Sequence, residues 1–340
     1  MLRFPFPDAP NPGQLIDVAP HVRWLRMPLP FALNHINLWV LDDGDALTLI
    51  DTGVDTPITR ELWRGLFAGP LAGKPIARLI CTHFHPDHMG LSAWLHQEFG
   101  VPVYMTAKEL AAAKIWHRSG SQDLVDMLTA FFVRGGFDLA TAQGFVAQRK
   151  NFPSLVSGIA EGVIMIDPSA PISAAQGQWR IIIGEGHAPE LVTLFNEKLG
   201  VLISSDQILP KISPNISVNM LTSGTNPLQL FLDGFERFAA LPQDTLVLPS
   251  HRLPFIGLHE RMADLIAHHH DRLALGRRAC AQPATAQEVM VQLFPQKLDA
   301  HTTFFALGET LAHLHYLMGT GEVVCEARSD GVDLYRTLAA

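Results

Sequence analysis

The stretch Thr82-His83-Phe84-His85-Pro86-Asp87-His88-Met89-Gly90 places three imidazoles and one carboxylate within six residues. The run before it, Ile76-Ala77-Arg78-Leu79-Ile80-Cys81, is apolar and reads as a strand. After it, Leu91, Trp94, Leu95 and Phe99 recur at helical spacing and Gly100 ends the pattern. The cluster therefore belongs to a turn between a strand end and a helix start, where a rigid scaffold can present functional groups. Neutral imidazoles and carboxylates suit zinc and its first-row neighbours. Crowding four such groups is costly unless a cation satisfies them, so the stretch reads as a metal site.

Outward from this turn, strand-like runs recur on both sides. Toward the N-terminus lie His21–Arg26, Ile36–Leu41 and Ala46–Ile50, with Asp42-Asp43-Gly44-Asp45 as a hairpin-type turn. Thr56 is a plausible N-cap for a helix opened by Pro57, with Ile58, Leu62 and Leu66 on one face. Residues from about 107 to 150 read as mostly helical, broken at Gly135-Gly136. Strands resume at Gly162–Ile166, Trp179–Ile183, Val192–Phe195, Val201–Ser205 and Thr245–Leu248. A His or Asp stands at the outgoing turn of several strands: Asp51, His83, His187, Asp206 and His251. Ligands distant in sequence can converge if such strands end on one sheet edge.

From about residue 258 the pattern changes. Glu260–Arg278 reads as a helix, Thr285-Ala286-Gln287-Glu288 is a capping box opening a second, and Asp299–Met318 reads as a third. A hairpin follows, with its turn at Ser329-Asp330-Gly331. Three helices and then a hairpin is a winged-helix-like order. Domains are expected at 1–257 and 258–340.

Composition narrows the class. The chain of 340 residues is 48% hydrophobic and 17% charged, enough apolar surface for a sizeable core and too much for intrinsic disorder. A net charge of −8 opposes a general attraction to nucleic acid or anionic membrane. The tail repeats that sign, with seven basic and ten acidic residues from Glu260 to Ala340, so its winged-helix-like order does not make a phosphate-binding face. The three cysteines, Cys81, Cys280 and Cys325, are odd in number and contain no CxxC pair, which argues against a disulfide framework. No secretion signal or membrane span is read, so a cytoplasmic setting is expected.

These motifs together resemble the metallo-β-lactamase-fold hydrolase superfamily. Leu49-Ile50-Asp51-Thr52-Gly53 is similar to its strand-end aspartate motif, and His83-Phe84-His85-Pro86-Asp87-His88 to its HxHxDH signature. Gly186-His187-Ala188-Pro189-Glu190 resembles the third-histidine motif, Ser205-Asp206 the bridging aspartate and Pro249-Ser250-His251 the last histidine. Ser205 and Ser250 stand where the family commonly has glycine. The C-terminal part resembles the extension found in the β-lactamase-like protein 2 type branch. The resemblance implies a four-layer αββα sandwich with a small C-terminal winged-helix-like α+β domain. It implies two metal ions, zinc first and iron or manganese as alternatives. His83, His85 and His187 would hold one, and Asp87, His88 and His251 the other. Asp206 would bridge them, and Asp51 would orient ligands from behind.

Two metals about 3.5–4 Å apart, sharing a water of pKa near 7, would supply a hydroxide for hydrolysis. Asp87 and Asp206 are the candidate catalytic carboxylates, with Asp87 beside the nucleophile as a proton acceptor. The expected substrate is a small ester, thioesters foremost. Endoribonuclease or phosphodiesterase, lactonase and one-iron thiol or persulfide oxygenase are the alternative readings. The lactonase that uses a tyrosine has weaker support, since residues 188 to 250 contain none. Trp116, His117, Phe131 and Phe132 are candidates for a substrate wall, against the plainer reading that they pack the helical insert. His268-His269-His270 is not a metal site by itself, because successive helical side chains point about 100° apart. The expected partners are a small-molecule substrate and, as an option, a second copy of the chain.

Overall fold

Turn chemistry and alternation set up the first sheet. The computed structural model describes residues 1–31, 33–118, 120–148, 152–175 and 177–338. Its seven-stranded sheet runs Leu15–Ala19, Val22–Pro28, His35–Asp42, Leu47–Ile50, Ile76–Ile80, Val103–Met105 and Ile164–Met165, in that order. The first four strands pair antiparallel and the rest join in parallel. The turn expected at Asp42–Asp45 forms, with Gly44 at φ +88° and Asp43 N–H donating to Ala46 O. Thr56 caps the helix Pro57–Ala68 by accepting from Thr59 N–H. Trp63 of that helix donates its indole N–H to Thr52 O at 2.9 Å, which ties the helix to the Asp51 turn.

The second sheet has six strands in the order Phe255–Ile256, Leu246–Pro249, Val201–Ser205, Leu191–Asn196, Gly177–Gly184 and Ile172–Ala174. All six residues of Leu191–Asn196 are buried, four of them apolar, and the buried Thr193 hydroxyl is satisfied by donating to Ile182 O at 2.6 Å. One core cluster joins Trp24, Trp39, Ile50 and Ile80 of the first sheet to Trp179, Val192, Leu194, Ile203 and Leu248 of the second. Trp24 and Trp39 are cross-strand partners and stack at 6.0 Å. Each fully buried aliphatic side chain there contributes about 1.5–3 kcal/mol. That packing holds the strand ends rigid, and the strand ends carry the polar turns. The α/β sandwich expected from the sequence is the fold observed.

The chain forms two compact units. The first comprises Met1–Arg118, Phe152–Pro214 and Glu236–Met262; the second comprises Ser119–Asn151, Asn215–Phe235 and Ala263–Ala340. The chain thus enters the second unit three times, where a sequence reading expects a single division at 257/258. The expected insert is divided too. Helix Ala107–His117 belongs to the first unit, whereas Gln122–Arg134 and Leu139–Gln148 belong to the second.

The C-terminal elements follow the expected order. Helix Leu258–Ala279 is followed by strand Ala284–Thr285, helices Ala286–Leu293 and Ala300–Gly319, and strands Val323–Ala327 and Asp333–Thr337. The Thr285/Glu288 capping box is present. Among the described residues, no helix is long and apolar enough to cross a membrane.

Candidate metal centre

Five turns, all in the first unit, deliver the polar residues to one place. Pro86 opens the short helix Pro86–Met89, and His85 precedes it in extended backbone at φ −61°, ψ 147°. The Asp51 turn is fastened to that helix: Thr52 N–H donates to His88 O and Gly53 N–H to Asp87 O, at 2.8 and 3.0 Å. Gly90 makes this closure feasible. A Cβ there would lie 2.3 Å from Pro86 O and 2.6 Å from Gly53 O.

The side chains converge in two groups joined by one carboxylate. His83 Nε2 lies 2.9 Å from His85 Nδ1 and 3.3 Å from His187 Nε2. Asp87 Oδ2 lies 3.7 Å from His88 Nε2 and 3.4 Å from His251 Nε2. Asp206 turns Oδ2 toward His187 and His88, at 3.4 and 3.5 Å, and Oδ1 toward His251, at 3.5 Å. Potential ligand atoms of His83, His85 and His187 all lie within 4.8 Å of one another, as do those of Asp87, His88 and His251. All seven residues singled out from the sequence are therefore neighbours.

A second layer fixes the rings. Asp51 accepts from Thr82 N–H through Oδ1 (2.7 Å) and from Thr82 Oγ1 (2.8 Å) and His88 Nδ1 (2.7 Å) through Oδ2. The proton of His88 is thereby placed on Nδ1, and Nε2 is left as a donor of electrons to an ion. His251 Nδ1 donates to His35 O at 2.9 Å with the same effect. Ser205 sits at φ +48°, in the backbone region that favours glycine. Its hydroxyl meets Thr82 Oγ1 at 2.8 Å, a bond that glycine would lack.

Two residues in this layer escape sequence reasoning. Asn37 is buried and donates through Nδ2 to Pro249 O and Arg252 O, bracketing the His251 turn. Glu109, wholly buried on helix Ala107–His117, accepts Phe84 N–H at 2.9 Å and Glu190 N–H at 2.6 Å. One carboxylate thus ties the loop of His83 and His85 to the loop of His187. Burial pushes that carboxyl up to about 7 despite the two N–H donors. The only sequence signal was an acidic residue in the first turn of an apolar-faced helix, which is commonplace. Glu109→Gln keeps the volume but loses one acceptor, and divalent-metal affinity is expected to fall about 10–100-fold. Chelator competition measures this; unchanged affinity would confine Glu109 to a role in folding.

The donor set fits divalent metal. His88 Nε2 and Asp206 Oδ1 are buried without a hydrogen-bond partner. Burial and the surrounding imidazoles hold His83 well below the ordinary histidine range and His85 at about 3, so both remain neutral bases. Burial opposes charge on Asp206, yet the facing His251 and His88 hold its carboxyl well below the carboxylate range. Burial likewise opposes charge on His251, but Asp206 and then Asp87 raise it to about 10. The carboxylates thus demand positive charge here, and a divalent cation meets that demand by displacing protons.

The residues named as a substrate wall are not gathered into one surface within either unit. Trp116 and His117 belong to the first, where the buried Trp116 stacks on Phe84 at 6.4 Å behind the histidine loop. Phe131 and Phe132 belong to the second, in an aromatic cluster with Phe304. Phe131 also lines a cavity of about 230 Å³ in that unit. Of the consecutive histidines, buried His269 meets His313 at 3.2 Å. Among the described residues, no metal-binding group includes His268, His269 or His270.

The metallo-β-lactamase superfamily pattern matches residues 33–251, and that of the metallo-β-lactamase-like C-terminal domain matches residues 273–338. The chain belongs to the metallo-β-lactamase superfamily, and it is a metal-dependent hydrolase of that class. It is similar to the solved structure of a β-lactamase domain protein from Burkholderia ambifaria, with 39% identity and a TM-score of 0.91, covering 99% of this chain and 98% of that one. It is 28% identical over 306 residues to the "Probable metallo-hydrolase YqjP" of Bacillus subtilis, covering 86% of this chain and 91% of that protein. A 72-residue stretch is 35% identical to the hydroxyacylglutathione hydrolase of Nitrosomonas eutropha, covering 21% of this chain and 26% of that protein.

Proposed function

We propose that the site holds two zinc ions and hydrolyses a small ester, foremost a thioester. The observation that carries this reading is Asp206, whose two oxygens face different histidines of the cluster, Oδ2 toward His187 and Oδ1 toward His251. His83, His85 and His187 would hold one ion, Asp87, His88 and His251 the other, and Asp206 both. When bound, the ions supply a water acidified toward pKa ~7 and charge stabilisation for the substrate's carbonyl oxygen.

The protein's own groups do the remaining work. Asp87 has the more open carboxylate, with 20% side-chain exposure against 8% for Asp206, and is placed to accept the proton released by the attacking water. The Thr82 and Ser205 hydroxyls are buried in mutual hydrogen bonds, which leaves neither as a nucleophile. The thioester preference is supported by the local similarity to a hydrolase named for an acylated glutathione.

The test is elemental analysis of purified protein followed by a panel of thioesters, esters, lactones, phosphodiesters and RNA. Two zinc per chain and fastest turnover of a thioester are expected. One iron per chain would overturn the two-zinc reading, and faster cleavage of RNA or phosphodiesters would overturn the substrate class.

A further inference from the structure

Beside the metal centre, the first unit contains a cavity of about 240 Å³ lined by Phe4, Arg26, His35, Lys211, Arg252 and Leu253. In a chain of net charge −8, this wall carries three cations and no carboxylate. Among the described residues, none of the three is in an ion pair, whereas Arg23, Arg60, Lys74 and Arg134, for example, each face a carboxylate. Burial and then the charge of Arg252 pull the half-buried Arg26 guanidinium down. Like charges are therefore crowded with no acid of the protein to offset them.

The cations are held in place by other residues. Arg261 donates to Leu209 O at 2.6 Å and to Ile212 O at 2.7 Å, bracketing Lys211. Asn37 binds Arg252 O at 2.7 Å, and Arg252 N–H donates to His35 Nε2 at 3.0 Å. His35 Nδ1 then donates to Asn34 Oδ1, so its ring is a neutral wall rather than a fourth cation. Lys211 and Arg252 both have positive φ, +65° and +73°, a conformation that side chains of their kind rarely adopt. Strain of this sort persists where surrounding structure enforces it and clusters at ligand sites. Arg252 directly follows His251 in the sequence, and Lys211 stands on the turn after Asp206.

We propose that Arg26, Lys211 and Arg252 form an anion subsite that takes a phosphate or carboxylate group carried by the substrate away from its reacting carbonyl. The cavity is smaller than a typical whole-ligand pocket, so it suits one charged group rather than a stretch of polymer. Arginine forks bind such oxyanions through charge-assisted hydrogen bonds. The anion would anchor the substrate while its carbonyl lies at the neighbouring metal centre.

Assigning the anion to a substrate rests on the ester-cleavage reading, but its binding does not. Calorimetry on the metal-loaded full chain, titrated with inorganic phosphate and separately with succinate, tests the binding. At least one anion is expected to bind, about tenfold or more weakly to Arg26→Gln/Arg252→Gln, with partial recovery in Arg26→Gln/Arg252→Lys. If the double variant does not fold, Lys211→Gln on an exposed side chain takes its place, with the same direction expected. Tighter binding of phosphate identifies a phosphorylated substrate, and tighter binding of succinate a carboxylated one. Equal affinity in wild type and variant would place the anion on the metals and overturn the proposal; so would no binding of either anion. Failure of the ester reading looks different: no ester is turned over, yet the variant still weakens anion binding.

Discussion

Asp206→Ala is expected to lower turnover by about 10³-fold or more and to reduce bound metal below two ions per chain. The residue faces both groups of imidazoles, Oδ2 toward His187 and His88 and Oδ1 toward His251. In the two-ion reading proposed above, removing it would delete a ligand from each ion, and it removes the negative charge that faces His88 and His251. A loss of several kcal/mol in transition-state stabilisation corresponds to that factor, since each 1.36 kcal/mol is tenfold. The measurements are steady-state kinetics on the fastest substrate and metal content after dialysis. Full metal content with near wild-type turnover would remove Asp206 from the mechanism. The side chain is nearly buried, with 8% exposure, so circular dichroism of the variant accompanies the kinetics to show that the fold is kept.

Asp51→Asn separates positioning from folding more sharply. The native carboxylate accepts three hydrogen bonds, from Thr82 N–H, Thr82 Oγ1 and His88 Nδ1. An asparagine can keep the first through its carbonyl. Its NH₂ then faces His88 Nδ1, which must become an acceptor. The ring proton moves to Nε2, the atom needed for metal, and His88 presents the wrong tautomer. Metal affinity at the His88 group is expected to fall about 10–100-fold, with a modest change in unfolding free energy. Asp51→Ala instead leaves buried donors without acceptors and is expected to cost about 3–5 kcal/mol of stability. Chelator competition and urea unfolding of the two variants make the comparison. Equal metal affinity in wild type and Asp51→Asn would show that Thr82 or water sets the tautomer instead.

The candidate metal-binding residues were legible as a cluster because their chemistry is local. Imidazoles and carboxylates crowded on one turn announce a cation, and the strands that carry them are marked by apolar runs that end at those residues. The Thr285/Glu288 capping box and the Asp42–Asp45 hairpin were legible for the same reason, since each involves residues three apart. The surroundings of the aromatic residues were not. Phe131 and Trp116 look alike in sequence, yet Trp116 backs the histidine loop in one unit and Phe131 packs with Phe304 in the other. Aromatic content does not say which side of an element faces a cavity.

The sequence alone determined the donor set, the order of the strands that present it and the hydrolase family that follows. It could do so because periodicity and ligand chemistry act over a few residues. Tertiary structure alone decided that Glu109 ties Phe84 to Glu190, that Asn37 brackets His251, and that Arg26, Lys211 and Arg252 share one cavity. Those partners are 25 to over 200 residues apart. No pattern along the chain encodes such a meeting; it arises where buried sheet faces pack and bring their turns to the same edge.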